Sequence, residues 1–203
     1  MNGIKKYLLI GTGTLALLTG GFSCSEYSDY GILGSSEQGR TKNSIATVIA
    51  GAIGQKMHKD STIDLTVEKT LFPNARVTGH TTSDSVDTYV DLASTSSHFT
   101  ALRNAKGQLE GKVDKSEFDW DVVQSSPDVY EIHRMGPKFN AELDITVQNG
   151  IISGTYVRNG PHFNWNIHGT YDENGNVTCT VDCPVGLGIT LKGTVTPTPK
   201  KGK

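Results

Sequence analysis

Clustered positive charge is missing from this sequence, and so is every compact catalytic signature. A protein that grips nucleic acid through its phosphates needs grouped lysines and arginines. Here 19 basic residues face 21 acidic ones, giving a formal net charge of −2. The one tight basic cluster, Lys200, Lys201 and Lys203, is a terminal tail after a Thr-Pro-Thr-Pro run. Nucleic acid is therefore set aside as a partner. No Gly-x-Ser-x-Gly elbow, His-Glu-x-x-His pair, Gly-rich phosphate loop or local cysteine–histidine pairing occurs, which removes the reaction classes those motifs serve. Cysteine is scarce, three in 203 residues, and without a second ligand pair near Cys179 and Cys183 a structural zinc site is not expected.

What the chain does have begins at its N-terminus. "MNGIKK" is a short basic segment and "YLLIGTGTLALLTGGF" an apolar run rich in small residues, together the architecture of a secretory signal. Cys24 follows the small Ser23. The segment resembles a bacterial lipoprotein signal, in which such a cysteine is diacylated and becomes the first residue of the mature chain. Gly21 stands where that family usually has leucine, and Phe22 is bulkier than its usual counterpart. The resemblance implies removal of residues 1–23, a lipid on Cys24 and a place in the cell envelope, at the outer membrane or facing the periplasm or the surface. Ordinary cleavage with secretion, or a retained anchor, are the alternatives. Residues 24–42 are polar and glycine-rich, as a flexible tether between membrane and domain would be.

Asn43 or Ser44 can cap a helix over 43–58, whose apolar residues Ile45, Val48, Ile49, Ala52, Ile53 and Met57 recur at three and four. Ala46, Ala50 and Gly54 give its other face a small residue every fourth position. About 14 residues rise only about 21 Å, too short to span a bilayer, so this helix is expected to pack on the domain. From residue 61 the apolar period changes to two. Ile63, Leu65 and Val67 alternate, as do Phe139 to Val147 and Phe163 to Tyr171, each reading as a half-buried strand. Asn149-Gly150, Asn159-Gly160-Pro161 and Asp172 to Gly175 fall between such runs and suit tight hairpins.

Glycine recurs inside the strands, at Gly79, Gly111, Gly154, Gly169 and Gly193, each in an apolar-x-Gly-x-apolar or threonine setting. It weakens a strand, so its repetition marks places where a coiled sheet must bend. The expected fold is mainly β. Nine to eleven strands form an antiparallel meander over 61–196, closing into an up-and-down barrel or barrel-like sandwich, with one short N-terminal helix and a disordered tail over 197–203. In architecture this is similar to the lipocalin-like class of bacterial barrels.

The remaining polar patterns have plain readings. His162, Asn164, Asn166, His168 and Thr170 share one strand face opposite Phe163, Trp165 and Ile167, so the polar row looks to solvent. His162 and His168 lie about 20 Å apart along a strand and cannot chelate one ion. Asp119 and Asp121 flank Trp120 on what reads as the outer face of another strand. Cys179 and Cys183 are either two buried thiols or, if the chain bends at Asp182-Cys183-Pro184, a local disulfide. Nothing implies a metal or another cofactor.

Three function classes follow. The first is an anchored lipoprotein whose barrel holds an apolar or amphipathic small ligand without covalent chemistry, its walls drawn from Phe139, Ala141, Leu143, Phe163, Trp165 and Tyr171. The second is an envelope lipoprotein with a filled barrel that binds a protein or glycan partner. The third is an enzyme whose site the sequence does not connect. Interior volume separates the first two.

Overall fold

The computed structural model of the chain describes residues 37–58, 60–69, 72–91, 96–114, 119–135, 140–158, 163–182 and 188–199. The expected signal, Cys24, most of the tether, Phe139, His162, Cys183 and residues 200–203 lie outside these. One helix, α1 (Glu37–Met57), precedes twelve strands: β1 (Ser61–Lys69), β2 (Phe72–Thr81), β3 (Ser85–Asp91), β4 (Ser97–Arg103), β5 (Leu109–Asp114), β6 (Asp119–Ser126), β7 (Val129–Met135), β8 (Asn140–Gln148), β9 (Ile151–Arg158), β10 (Phe163–Tyr171), β11 (Asn176–Asp182) and β12 (Ile189–Pro197). Each strand pairs antiparallel with its sequence neighbours, and β12 closes on β1 from Ser61 opposite Pro197 to Lys69 opposite Ile189. The expected meander is thus a closed up-and-down barrel, with one strand more than the largest number expected.

The hairpins at Asn149-Gly150 and at Asp172 to Gly175 form where the turn chemistry placed them, while Asn159-Gly160-Pro161 lies outside the described residues. Asn149 and Gly150 both take positive φ, 53° and 77°, the pair that a two-residue type I′ turn requires. At this end of the barrel four turns are tied to the strand beyond by a backbone bond: Arg103 to Asp84 (2.8 Å), Val147 to Asp128 (2.9 Å), Tyr171 to Gly150 (2.9 Å) and Val195 to Gly175 (2.8 Å). Thr198 donates to the Asp60 carbonyl at 3.0 Å. The tail expected from 197 is therefore held as far as Thr198.

Alternation along the strands separates an apolar inside from a polar outside. Ile63, Leu65 and Val67 of β1, Leu143, Ile145 and Val147 of β8 and Val177, Cys179 and Val181 of β11 are all buried. Their neighbours Asp64, Glu142, Asp144, Asn176 and Thr178 are exposed. The five strand glycines are in phase with the inward set. A Cβ on any of them would collide with the backbone of the adjacent strand: Asp87 for Gly79, Thr100 for Gly111, Asp144 for Gly154, Thr178 for Gly169 and Asp64 for Gly193. These are the bends that let the sheet curl shut.

The helix is inside the barrel rather than resting on it. Every residue from Thr41 to Gly54 is buried, on all faces of the helix. α1 packs along β1–β4 and also touches β12 and β8, the last on the far side of the strand order. Eight strands enclose a space that side chains alone can fill, and diameter grows about linearly with strand number. Twelve strands leave a gap about half as wide again, which a helix about 10–12 Å across can occupy. Fourteen buried residues rise about 21 Å, close to the roughly 23 Å height of nine-residue strands tilted about 40°. The helix also begins at Glu37, earlier than the expected 43. Thr41 and Lys42, placed in the tether by their polarity, are buried within the lumen.

Candidate functional site

Three of the residues expected to wall a ligand cavity, Ala141, Leu143 and Trp165, are 4%, 1% and 2% exposed on the inner face of β8 and β10. Tyr171 is partly buried against the same core. Leu143 of β8 stands opposite Tyr156 of β9, and Tyr156 opposite Trp165 of β10, so the register does bring the wall together. Tyr156 and Trp165 pack with ring centroids 4.8 Å apart. What meets this wall is α1: the Lys42 ammonium lies 5.7 Å from the Trp165 ring centroid, within cation–π range. The Trp165 indole N–H is buried without a hydrogen-bond partner among the described residues. Phe139 is outside the described residues, and Phe163 opens β10.

Cys179 is a free, buried thiol facing the lumen. Burial pushes its pKa up to about 12, so it stays protonated and unreactive at neutral pH. Cys183, the other member of the cysteine pair, lies outside the described residues. Asn164, Asn166, His168, Thr170 and Asp121 are exposed, as expected for outward strand faces.

Below the C-terminal end of α1 the lumen is closed by a polar plug. The Arg103 guanidinium donates to the carbonyls of Ser83 (2.8 Å) and Gly107, and to the side-chain oxygens of Gln124 (3.4 Å) and Gln55 (3.3 Å). Gln124 donates in turn to the Pro127 carbonyl and to the Tyr130 hydroxyl, at 3.2 and 3.3 Å. Burial raises the Tyr130 pKa. Lys56 pairs with Asp128. A hollow of about 490 Å³ over this network lies beside the negative end of the helix dipole, where cationic side chains belong. Its donors are largely spent on protein acceptors, so it reads as a stopper.

The outer wall is where polar groups converge. Its strand faces carry Thr, Asn, Asp, Glu, Lys, Arg and His, and among the described residues the exposed large apolar side chains are Leu102, Ile151 and Val157. A lipid-facing wall would present an apolar band instead. On β1–β3 a groove of about 300 Å³ is lined by Thr62, Asp64, Arg76, Thr78, His80, Asp87 and Tyr89, with Ile63 and Gly79 beneath. Register builds it: Thr62 lies beside His80 and Asp64 beside Thr78 on β2, while His80 lies beside Asp87 and Thr78 beside Tyr89 on β3. Arg76 grips Asp64 with a two-pronged fork, both N···O distances 2.6 Å. That bond, chiefly, holds the Asp64 carboxyl below its ordinary pKa. His98 of β4 lies 2.7 Å from Asp87 and stands edge-on to the Tyr89 ring, centroids 5.9 Å apart at 82°.

The sequence marked Ile63 and Gly79 for their places in strands and singled out none of the polar groups of this groove as a site. The signal that could have found them was the outward phase of three successive strands. Fold and surface together define a closed, helix-filled barrel with a polar exterior. Comparison with protein-family models, with curated proteins and with solved structures gives no match to this chain.

Proposed function

We propose that this chain is an exported lipoprotein, held to a membrane of the cell envelope through Cys24, whose filled barrel offers its outer wall to a partner and performs no covalent chemistry. The observation that carries this reading over ligand storage is the burial of α1 on every face from Thr41 to Gly54. The space a small apolar ligand would need is taken by Ile45, Val48, Ile49 and Ile53, all 0% exposed. A polar outer wall on a rigid, filled scaffold suits surface recognition, where affinity comes from preorganised groups.

An environment-sensitive apolar dye tests the choice. Titrated into the parent protein, it should show no saturable binding. Ala141→Trp should then cost about 1–3 kcal/mol of stability, as overpacking a filled core does. Saturable dye binding that Ala141→Trp abolishes at parental stability would return the lumen to the ligand reading. The anchor has its own test. Cys24→Ser should abolish incorporation of labelled fatty acid and release the protein from the membrane fraction, and unchanged labelling would remove Cys24 from the account.

A further inference from the structure

We propose that the groove on β1–β3 binds a neutral saccharide. The proposal rests on the outward-binding reading above and names the ligand class. Charge balance in the groove comes first. Asp64 is already engaged by the Arg76 fork and Asp87 lies 2.7 Å from the His98 ring nitrogen, so neither carboxylate stands bare. An anion would have to compete with Asp64 for Arg76 while facing two carboxylates. A cation would meet Arg76. An uncharged ligand meets neither obstacle.

The polar groups that remain are those a polyhydroxyl ligand uses. Each carboxylate has about four lone-pair sites and Arg76 engages one on each oxygen of Asp64. The Thr62 hydroxyl, which lies 3.4 Å from His80 Nδ1 and 3.2 Å from the Thr198 hydroxyl, the Thr78 hydroxyl and the other nitrogen of the His80 ring can each donate or accept one more. Hydroxyls of a sugar ring do both as well, so mixed planar acceptors and hydroxyls on neighbouring strands, about 4.8 Å apart, match them better than a one-sign patch would.

The third feature is the aromatic. Tyr89 stands on the outward face of β3, in phase with the exposed Asp87, and it lies in the groove. The edge-on contact with His98 fixes its ring, which lowers the ordering cost of binding. An amphipathic ring of this kind offers an apolar surface to the C–H face of a sugar and a polar rim to its hydroxyls. A volume of about 300 Å³ is at the low end of ligand pockets, suited to one or two sugar rings.

The test is saturation-transfer NMR on the full chain in a detergent without a sugar headgroup. Maltose, cellobiose, lactose and N,N′-diacetylchitobiose serve as probes, with inorganic phosphate titrated alongside. At least one sugar should show saturable transfer to its ring C–H protons. That binding should weaken at least about tenfold in Tyr89→Ala, and also in Asp87→Ala, whose side chain is 68% exposed and so is not needed for folding. It should persist in Ile151→Ser, away from the groove on β9. Silence from all four sugars, parental binding in both groove variants, or saturable phosphate binding in their place would overturn the proposal. Dye binding by the parent would instead sink the outward-binding reading, so the two failures are told apart.

Discussion

Along β2–β4 the wall that meets the helix is built mostly from small residues and hydroxyls, with Phe99 as the one large ring, whereas along β8–β10 it is built mostly from large rings and branched chains. On the first side stand Ala75, Val77, Val86, Thr88, Ser97 and Ala101, and on the second Leu143, Ile145, Ile152, Tyr156, Trp165 and Ile167, all buried. The helix answers in kind. A Cβ on Gly51 would come within 2.6 Å of Val86, and one on Gly54 within 2.8 Å of Ile63 and Thr81. Close approach there is secured by polar bonds: Thr88 Oγ1 donates to the Thr47 carbonyl at 2.9 Å, and the Ser44 and Ser97 hydroxyls lie 2.9 Å apart. The helix thus sits off-centre. The near wall sets its position through bonds that only one register satisfies, and the far wall fills what is left by bulk.

If that division is right, bulk removed from the far wall should cost most. Trp165→Ala deletes one of the largest fully buried side chains and should destabilise by about 3–5 kcal/mol, read as a lower urea midpoint at unchanged slope. It should also open an apolar void that takes up the dye the parent ignores. A loss below about 1 kcal/mol would mean the far wall is loosely packed, and the comparison would break. Next comes Gly51→Val on the near side, where the added methyls meet Val86 and Phe99. Overpacking there should cost about 1–3 kcal/mol, whereas the same change in a loosely held helix would be absorbed.

The same contrast explains what the sequence disclosed. Strand period, hairpin turns and inward glycines were legible because each is local: Asn149-Gly150 takes its turn conformation from its own two residues, and Gly154 stands out against the apolar residues around it. The helix was legible as a helix but not as a plug. Its apolar stripe from Ile45 to Met57 announced one packed face, while Ser44 and Thr47 hid the other, since their burial depends on Ser97 and Thr88 some 40 to 50 positions away. Thr41 and Lys42 were misplaced for the same reason, polar residues being poor announcers of a lumen. The groove was less legible still, because Asp64, Arg76 and Tyr89 become neighbours only through the pairing of three strands.

A smaller effect tests whether the near wall's polar bonds set position. Thr88→Val keeps the shape and removes the hydroxyl that reaches the Thr47 carbonyl. Net loss of one such bond is worth about 1 kcal/mol, and amide exchange in the middle of α1 should rise with it. Unchanged exchange and stability would assign the helix's position to size alone.

The smallest effect should come from the outer side of that same wall, at the Asp64–Arg76 pair. Both side chains are largely in water, 49% and 67% exposed, and exposed pairs contribute little. The Arg76 hydrogen bond lowers the Asp64 pKa from 3.8, burial opposes it weakly, and the Arg76 charge adds to the lowering. A carboxyl held low in the folded state adds stability at pH values above its unfolded pKa, and that contribution disappears as pH falls through the folded value. The stability difference between parent and Arg76→Leu should therefore be small and level from neutral pH down to about pH 4, close below 3.8, and shrink in high salt. Asp172, also held low, chiefly by the Asn176 side chain, titrates in both proteins and cancels in the difference. A gap that ignores both pH and salt would instead belong to the apolar stem of Arg76 lying on the sheet, and the outer face would then share in the packing that the comparison assigns to the inside alone.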